Sequence, residues 1–426
     1  FMLNIQLIAL LIFIVTYLLV VLFYNKKSII VWSSVVFILL FGVLDRHQAL
    51  ASINLNVMFL YVGMLFISEL FLYSKMPDFL AEIFASRAKK VWGAMLIICA
   101  VTGILSIFLE NVAVVLLMAP IALSVAKKCN INPVGLFIGI ALSSNLQGAA
   151  TLIGDPPSML LAGFTNMSFN DFFFIGDKPS IFFAVQLAFI ASLFVLYFVF
   201  RKENKLMPEL KEERPRTFIP SLIVILLVFS LIVSSSFETS IDFLAGLICL
   251  FFGAIGFAWY VFHYQREEKI RAFVKKMDWD TAIFLAGIFV LVESISANGL
   301  LDYVSDFILS VGGENVLLVF FIVVLFSVVL SAFVDNVPYL VAMLPVVKTV
   351  TETMGANPYL FYFGLLIGAS VGGNITPVGA SANIVAMGIM KKRGYNVKFM
   401  EFVRIGLAFT LVAVLAACIF LWFVYG

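Results

Sequence analysis

The chain has 426 residues, of which 63% are hydrophobic and 12% charged, and its formal net charge is +2. Soluble domains carry about 45–50% apolar and about 25% charged residues, so a soluble globular protein is excluded and a polytopic membrane protein is expected. So small a charge gives no ground for a nucleic-acid partner, and two histidines and four cysteines without paired or ligand spacing give none for a histidine- or cysteine-built metal site.

Apolar segments fall at about 2–24, 29–44, 56–72, 91–126, 134–165, 180–200, 217–236, 241–262, 279–297, 314–350, 358–390 and 403–424. Crossing about 30 Å of hydrocarbon takes roughly 20 residues, so 2–24 reads as a first span rather than a cleaved leader. The segment 91–126 is too long for one crossing and is bracketed by Lys89-Lys90 and Lys127-Lys128. The positive-inside rule places both ends in the cytoplasm, which makes it a re-entrant helical hairpin turning at Glu110-Asn111. The segment 134–165 is interrupted at Gly148 to Pro157, where glycine and proline disfavour a continuous helix.

The connection 166–178, with Phe172-Phe173-Phe174 between Asp171 and Asp177, reads as an interfacial amphipathic piece or a plain loop. Residues 201–216, with six Lys/Arg, form the cytoplasmic linker between a first repeat over 1–200 and a second over 217–426, and 263–277, with five Lys/Arg, is a second cytoplasmic loop.

The second half repeats the first at an offset of 225 residues. Phe108-Leu109-Glu110-Asn111-Val112 is echoed by Phe333-Val334-Asp335-Asn336-Val337. Pro120 corresponds to Pro345, Asn132-Pro133 to Asn357-Pro358, Gly148 to Gly373, Thr151 to Thr376 and Gly154 to Gly379. The segment 314–350 is then a second hairpin, and its leading flank lacks Lys and Arg, so it enters from outside. The segment 358–390 is a second broken helix, interrupted at Gly372 to Ser381. Segments 56–72 and 279–297 cross in opposite directions, the mark of inverted repeats with a site at mid-membrane. The fold class is an all-α polytopic membrane protein with about ten crossing helices, two re-entrant hairpins and two broken helices.

A helix opened in lipid strands backbone groups unless it lines a cavity or binds an ion. Half-helix N-termini attract anions, and freed carbonyls offer hard oxygens to sodium. The polar residues at the openings, Asn145, Gln147, Gly148, Thr151, Gly373, Asn374, Thr376, Ser381 and Asn383, join Asn111 and Asn336 as candidate substrate contacts. Glu110, Asp155 and Asp335, with Gly154 and Gly379, are candidates for binding a coupling ion or proton, since mid-membrane acids mark such paths. Glu110 and Asp335 serve equally well as caps of the adjoining half-helices, and Asp155 can cap where its counterpart Ala380 cannot. Glu69 and Glu293, near span ends, rank second. Within the hairpins (91–126 and 314–350) and the broken helices (134–165 and 358–390) no Lys, Arg or His occurs apart from Lys348 near the end of the second hairpin, so helix ends, amides and co-bound cations would have to neutralise a bound anion. The residues alone leave the sign of the main substrate open. No nucleophile–base spacing and no Gly-rich loop ending in Gly-Lys-Ser/Thr supports an enzyme.

Leu146 to Pro157, Ser331 to Pro338, and Gly372 to Asn383 resemble the arsenite-permease and melanosomal P-protein branch of the ion transporter superfamily. Sodium/proton antiporters of the NhaD type and citrate and dicarboxylate carriers are more distant kin. The resemblance, running from about 56 to 410, implies a scaffold domain and a transport domain moving as an elevator in a homodimer, multi-pass in a plasma membrane of the bacterial inner-membrane kind. It also implies substrate and sodium sites at Asn111, Gly148, Asp155, Asn336 and Gly373, and no cofactor beyond bound sodium. The expected function is sodium- or proton-coupled transport of a small anion or neutral oxyacid, with a sodium/proton antiporter as the alternative. Dicarboxylate carriers have Ser-Asn-Thr at the tips, where this chain has Glu110-Asn111-Val112 and Asp335-Asn336-Val337. The added negative charge repels a dicarboxylate unless it is protonated or cation-bound.

Overall fold

A computed structural model of the chain describes residues 2–23, 26–207, 214–237, 241, 243–264 and 267–426. The first half runs α1 (Met2–Leu22), α2 (Lys27–Leu40), α3 (Arg46–Ala51), α4 (Leu55–Ser74), α5 (Met76–Ser86), α6 (Val91–Ser106), α7 (Asn111–Cys129), α8 (Val134–Gly148), α9 (Pro156–Thr165) and α10 (Ile181–Phe200). The second runs α11 (Ile219–Ser234), α12 (Leu244–Tyr264), α13 (Glu267–Lys276), α14 (Trp279–Ser296), α15 (Leu300–Gly312), α16 (Val316–Ser331), α17 (Asn336–Met354), α18 (Pro358–Gly372), α19 (Ser381–Lys392) and α20 (Phe399–Tyr425). Among the described residues eight helices are long and apolar enough to cross a membrane, by length and composition, and α2, α6, α8, α11 and α16 are shorter apolar helices.

Both long segments break where the acids predict. Glu110 caps α7 by accepting from Ala113 N at 2.9 Å, and Asp335 caps α17 by accepting from Val337 N at 3.1 Å. A side-chain oxygen at this position satisfies a donor that the helix start leaves orphaned. The matched arms are the same length: α6 and α16 have 16 residues each, and α7 and α17 have 19. Both of the latter end in a left-handed residue, Asn130 (φ 50°) and Gly355 (φ 62°), which closes the last turn.

Packing follows the same correspondence. Helix α4 lies along α12 and α2 along α14, while α6 packs on α8, α16 on α18, and α10 on α20. Each half thus supplies α2, α4 or their counterparts to one group of helices, and a hairpin with its broken helix to another.

Some expected loops are structured. The loop expected at 263–277 contains α13, whose first turn carries Glu267 and Glu268 and whose last carries Lys275 and Lys276, charges that complement the helix dipole, and which buries Phe273. Residues 265 and 266 of that loop lie outside the described residues. The 166–178 connection is neither an amphipathic helix nor wholly irregular: a single turn at Asn170–Phe172 leads to a two-strand hairpin, β1 (Phe174–Ile175) and β2 (Lys178–Pro179). Of the linker 201–216, residues 208–213 lie outside the described residues. Its start is docked, with Val91 N and Trp92 N donating to Lys205 O and Glu203 O at 3.0 and 3.1 Å, and its end ties Arg216 N to Ser74 O at 2.8 Å. Cys99, Cys129, Cys249 and Cys418 are buried free thiols.

Candidate functional site

In the first half, four hydroxyls and amides stitch the hairpin tip to the broken helix. Ser106 Oγ donates to Asn111 Oδ1 at 2.7 Å and lies 2.9 Å from Ser144 O, while Ser144 Oγ donates to Asn111 O at 3.1 Å. Thr151 Oγ1, in the break, donates to Ile107 O at 2.5 Å. Gly148 is required here by contact: a Cβ on it would run into the Asn111 side-chain amide, with Asn111 Cγ at 3.0 Å. Gly154 passes close to Gly148 O, and Gly379 likewise lies against Gly373 O.

The second half reproduces this stitching. Thr376 Oγ1 donates to Ala332 O at 2.5 Å, and Ser331 Oγ donates to Ala369 O. These are the positions 225 residues on from Thr151, Ile107, Ser106 and Ser144.

The two breaks differ in what fills the next position. Asp155 caps α9, its Oδ1 accepting from Ser158 N at 3.0 Å and Ser158 Oγ at 2.7 Å. Its Oδ2 is buried without a hydrogen-bond partner. Ala380 offers α19 no side-chain cap. Asn383, which stands where the first half has Ser158, donates from Nδ2 to Gly373 O and Thr376 O, both at 2.9 Å.

A buried amide cluster joins the halves. Asn145 Nδ2 donates to Asn374 Oδ1 at 2.8 Å and to Asn383 Oδ1 at 3.0 Å, and Asn374 Nδ2 donates to Leu142 O at 3.2 Å.

Both tips and the starts of both second half-helices line one cavity of about 30 Å³. Of the residues singled out in the sequence, Glu110, Asn111, Asn145, Asp335, Asn336 and Ser381 reach it. Asn111 and Asn336 are 7% and 8% exposed. Thr151 and Thr376 act as struts, and Gly373, Asn374 and Asn383 stand behind the lining. Gln147 is not at the cavity: it forms a reciprocal amide pair with Gln186 of α10 at 2.9 and 3.1 Å. A second cavity of about 180 Å³, mainly apolar, shares Phe284 and Asp335 with the first. Glu69 lies elsewhere, on an open groove of about 760 Å³ with Lys75, Arg216, Lys269 and Lys276.

The sequence reading missed Lys27, Asp278 and Thr281, which also line the central cavity. Lys27, at the start of α2, is 5% exposed and donates from Nζ to Thr281 Oγ1 at 2.9 Å, and Thr281 Oγ1 donates to Asp278 Oδ2 at 2.6 Å. Lys26-Lys27 reads in sequence as a topogenic loop pair, and nothing local marks one of them as inward-facing.

The expected sodium ligands fit only in part. The first break offers hard oxygens, with the unpartnered Asp155 Oδ2 and Gly148 O close together around Ser158. Among the described residues no group of three or more His, Cys, Asp or Glu could hold a metal ion, so an ion there would depend on carbonyl and amide oxygens as well.

Comparison with known proteins finds membrane transporters. The citrate transporter family model matches residues 3–361 and again 268–426. An uncharacterized transporter of Mycobacterium tuberculosis is 29% identical over 432 residues, covering 98% of each chain. The human P protein is 25% identical over 83% of this chain and 51% of its own length. In fold, the chain is similar to the YdaH transporter of Alcanivorax borkumensis (TM-score 0.60, 13% identity, 99% and 97% coverage) and to MtrF of Neisseria gonorrhoeae (TM-score 0.54, 16% identity, 88% and 81% coverage), the latter described as one of a class of antimetabolite efflux pumps.

Proposed function

Starting from a chain that belongs to the citrate transporter family, we propose an ion-coupled secondary carrier that moves a small anion or neutral oxyacid by alternating access. One observation carries this reading: two capped hairpin tips and two opened helices meet on a single small cavity. A channel needs a continuous pore, whereas the tips and half-helix starts leave only about 30 Å³ between them. Transport then requires the lining to separate. Helices α2, α4, α12 and α14 form the scaffold, and the hairpins with α8, α9, α18 and α19 form the moving domain of inverted repeats in a homodimeric elevator in the plasma membrane. The coupling ion, sodium or proton, binds the substrate-competent arrangement in preference and so drives the cycle.

The charge inventory favours a second reading, a sodium/proton antiporter. Glu110, Asp278 and Asp335 line the cavity against the single ammonium of Lys27, and that excess of acid suits a cation better than a multiply charged anion. Proteoliposome uptake separates the two. A strict requirement for an added anion, tested with citrate and with arsenite, supports the first reading. Sodium uptake against a pH gradient with no added anion supports the second, and linear, non-saturating flux refutes both.

A further inference from the structure

We propose that the Lys27 ammonium is a built-in rival of the coupling cation, neutralising the hairpin tips when no ion is bound and giving way when one enters. The proposal rests on the cation-coupled reading above and adds a competitor to it.

Lys27 is oddly placed by local criteria. It is the first residue of α2 and follows Lys26, yet the start of a helix carries partial positive charge and disfavours cations. It is also 5% exposed, and lysine is rarely buried unless paired. Something beyond its own helix must hold it there. The groups facing it supply that: Asp278 and Thr281 at the start of α14, Glu110 on the first tip and Asp335 on the second all line the same cavity. Glu110 lies within electrostatic reach of both Lys27 and Asp278. The remaining acid nearby, Asp280, is taken by Ser28 Oγ, and Tyr17 of α1 donates its hydroxyl to Pro338 O at 2.7 Å beside the second tip.

The ammonium also has partners that do not belong to the tips, on the α14 wall of the same cavity. Its bond to Thr281 Oγ1 and its position 5.0 Å from the Phe284 ring centre are both made to α14, the helix that α2 packs along. An ammonium over an aromatic face is attracted electrostatically by the ring. When a cation occupies the tips, Lys27 therefore keeps its partners on α14, with Asp278 on the same cavity wall. When the site empties, the acids on the tips draw it back across the boundary between the two groups of helices. The cavity, about 30 Å³, has little room for both cations at once.

The test uses the full chain, purified, with thermal stability measured against sodium chloride and with choline chloride holding ionic strength fixed. Removing a neighbouring charge typically changes an ionic equilibrium by one to three powers of ten. Lys27→Gln is therefore expected to lower the half-saturating sodium concentration about tenfold or more, and Lys27→Arg to stay near wild type. Thr281→Val removes a partner on α14 and is expected to shift it the other way, which keeps the proposal testable if Lys27→Gln does not fold. With pH as the variable in place of sodium, the Lys27→Gln response is expected at higher pH by about one unit or more. A wild-type response with unchanged midpoints in Lys27→Gln and Thr281→Val overturns the rivalry alone. A wild-type chain that responds to neither sodium nor pH overturns the cation-coupled reading together with it.

Discussion

The amide cluster between the halves is open to a double-mutant cycle on Asn145 and Asn383. Asn383 makes three hydrogen bonds, to Gly373 O, Thr376 O and the Asn145 amide. Within membranes such bonds average about 0.6 kcal/mol and reach about 1.7, and a buried carbonyl left without its donor adds to the loss. Asn383→Ala should therefore cost about 2–3 kcal/mol, and Asn145→Ala, which loses two bonds, about 1–2. The bond they share, at 3.0 Å, should appear as a coupling of about 1 kcal/mol in the cycle. Asn383→Ser, which installs the residue found at position 158, should retain a donor for Gly373 O and cost about half as much as alanine. Unfolding by denaturant titration in mild detergent reads all four variants. If the two alanine effects simply add, the amides do not bridge the halves, and the argument that the two breaks are held as one unit fails.

Asn111→Ala or Asn336→Ala should abolish uptake in proteoliposomes while the protein still elutes as a folded species; near-normal uptake in both would remove the tips from the site. Asp155→Asn keeps an acceptor for Ser158 N and should alter the sodium or pH dependence of transport, and an unaltered profile would leave Asp155 as a cap only. Gly148→Ala drives a methyl against the Asn111 amide, so transport should fall at least about tenfold, since a small misplacement of a binding group has effects of that order.

The repeat made the frame legible. Once Asn111 and Asn336 were aligned, the breaks between α6 and α7, α16 and α17, α8 and α9, and α18 and α19 followed from Glu, Asp, Gly and Pro at matched places, because each of these residues acts on the backbone within a turn of itself. What escaped the reading depends on distance in the fold. Helix α13 has only Phe273 buried and so lacks the apolar run that marks a span, and residues 174–179 pair over too few residues to leave an alternating pattern. Gln147 looks like a site residue because it neighbours Gly148, but its partner Gln186 is 39 residues away. Lys27 is the plainest case: its neighbours Glu110, Thr281 and Asp335 come from three other parts of the chain, and only the assembled halves bring them together.

Symmetry of frame and asymmetry of chemistry together constrain the mechanism. The struts are paired, Thr151 with Thr376 and Ser106 with Ser331, so neither half alone can open its break without losing bonds of the same kind as the other. The groups left over are not paired. In the second half Asn383 already donates to the freed carbonyls of Gly373 and Thr376. In the first, Gly148 O has a hydroxyl at 3.3 Å, and the Asp155 oxygen left over by the cap has only the Asn111 side chain of the tip within reach. A hard cation gains most where oxygens are least committed and a formal negative charge is present, which favours the first break for the coupling ion and leaves the second to hold the halves in register. On the cation-coupled reading proposed above, Lys27 would then act at the tips and Asp155 at the first break, two separate places at which substitutions should alter the cation dependence of transport.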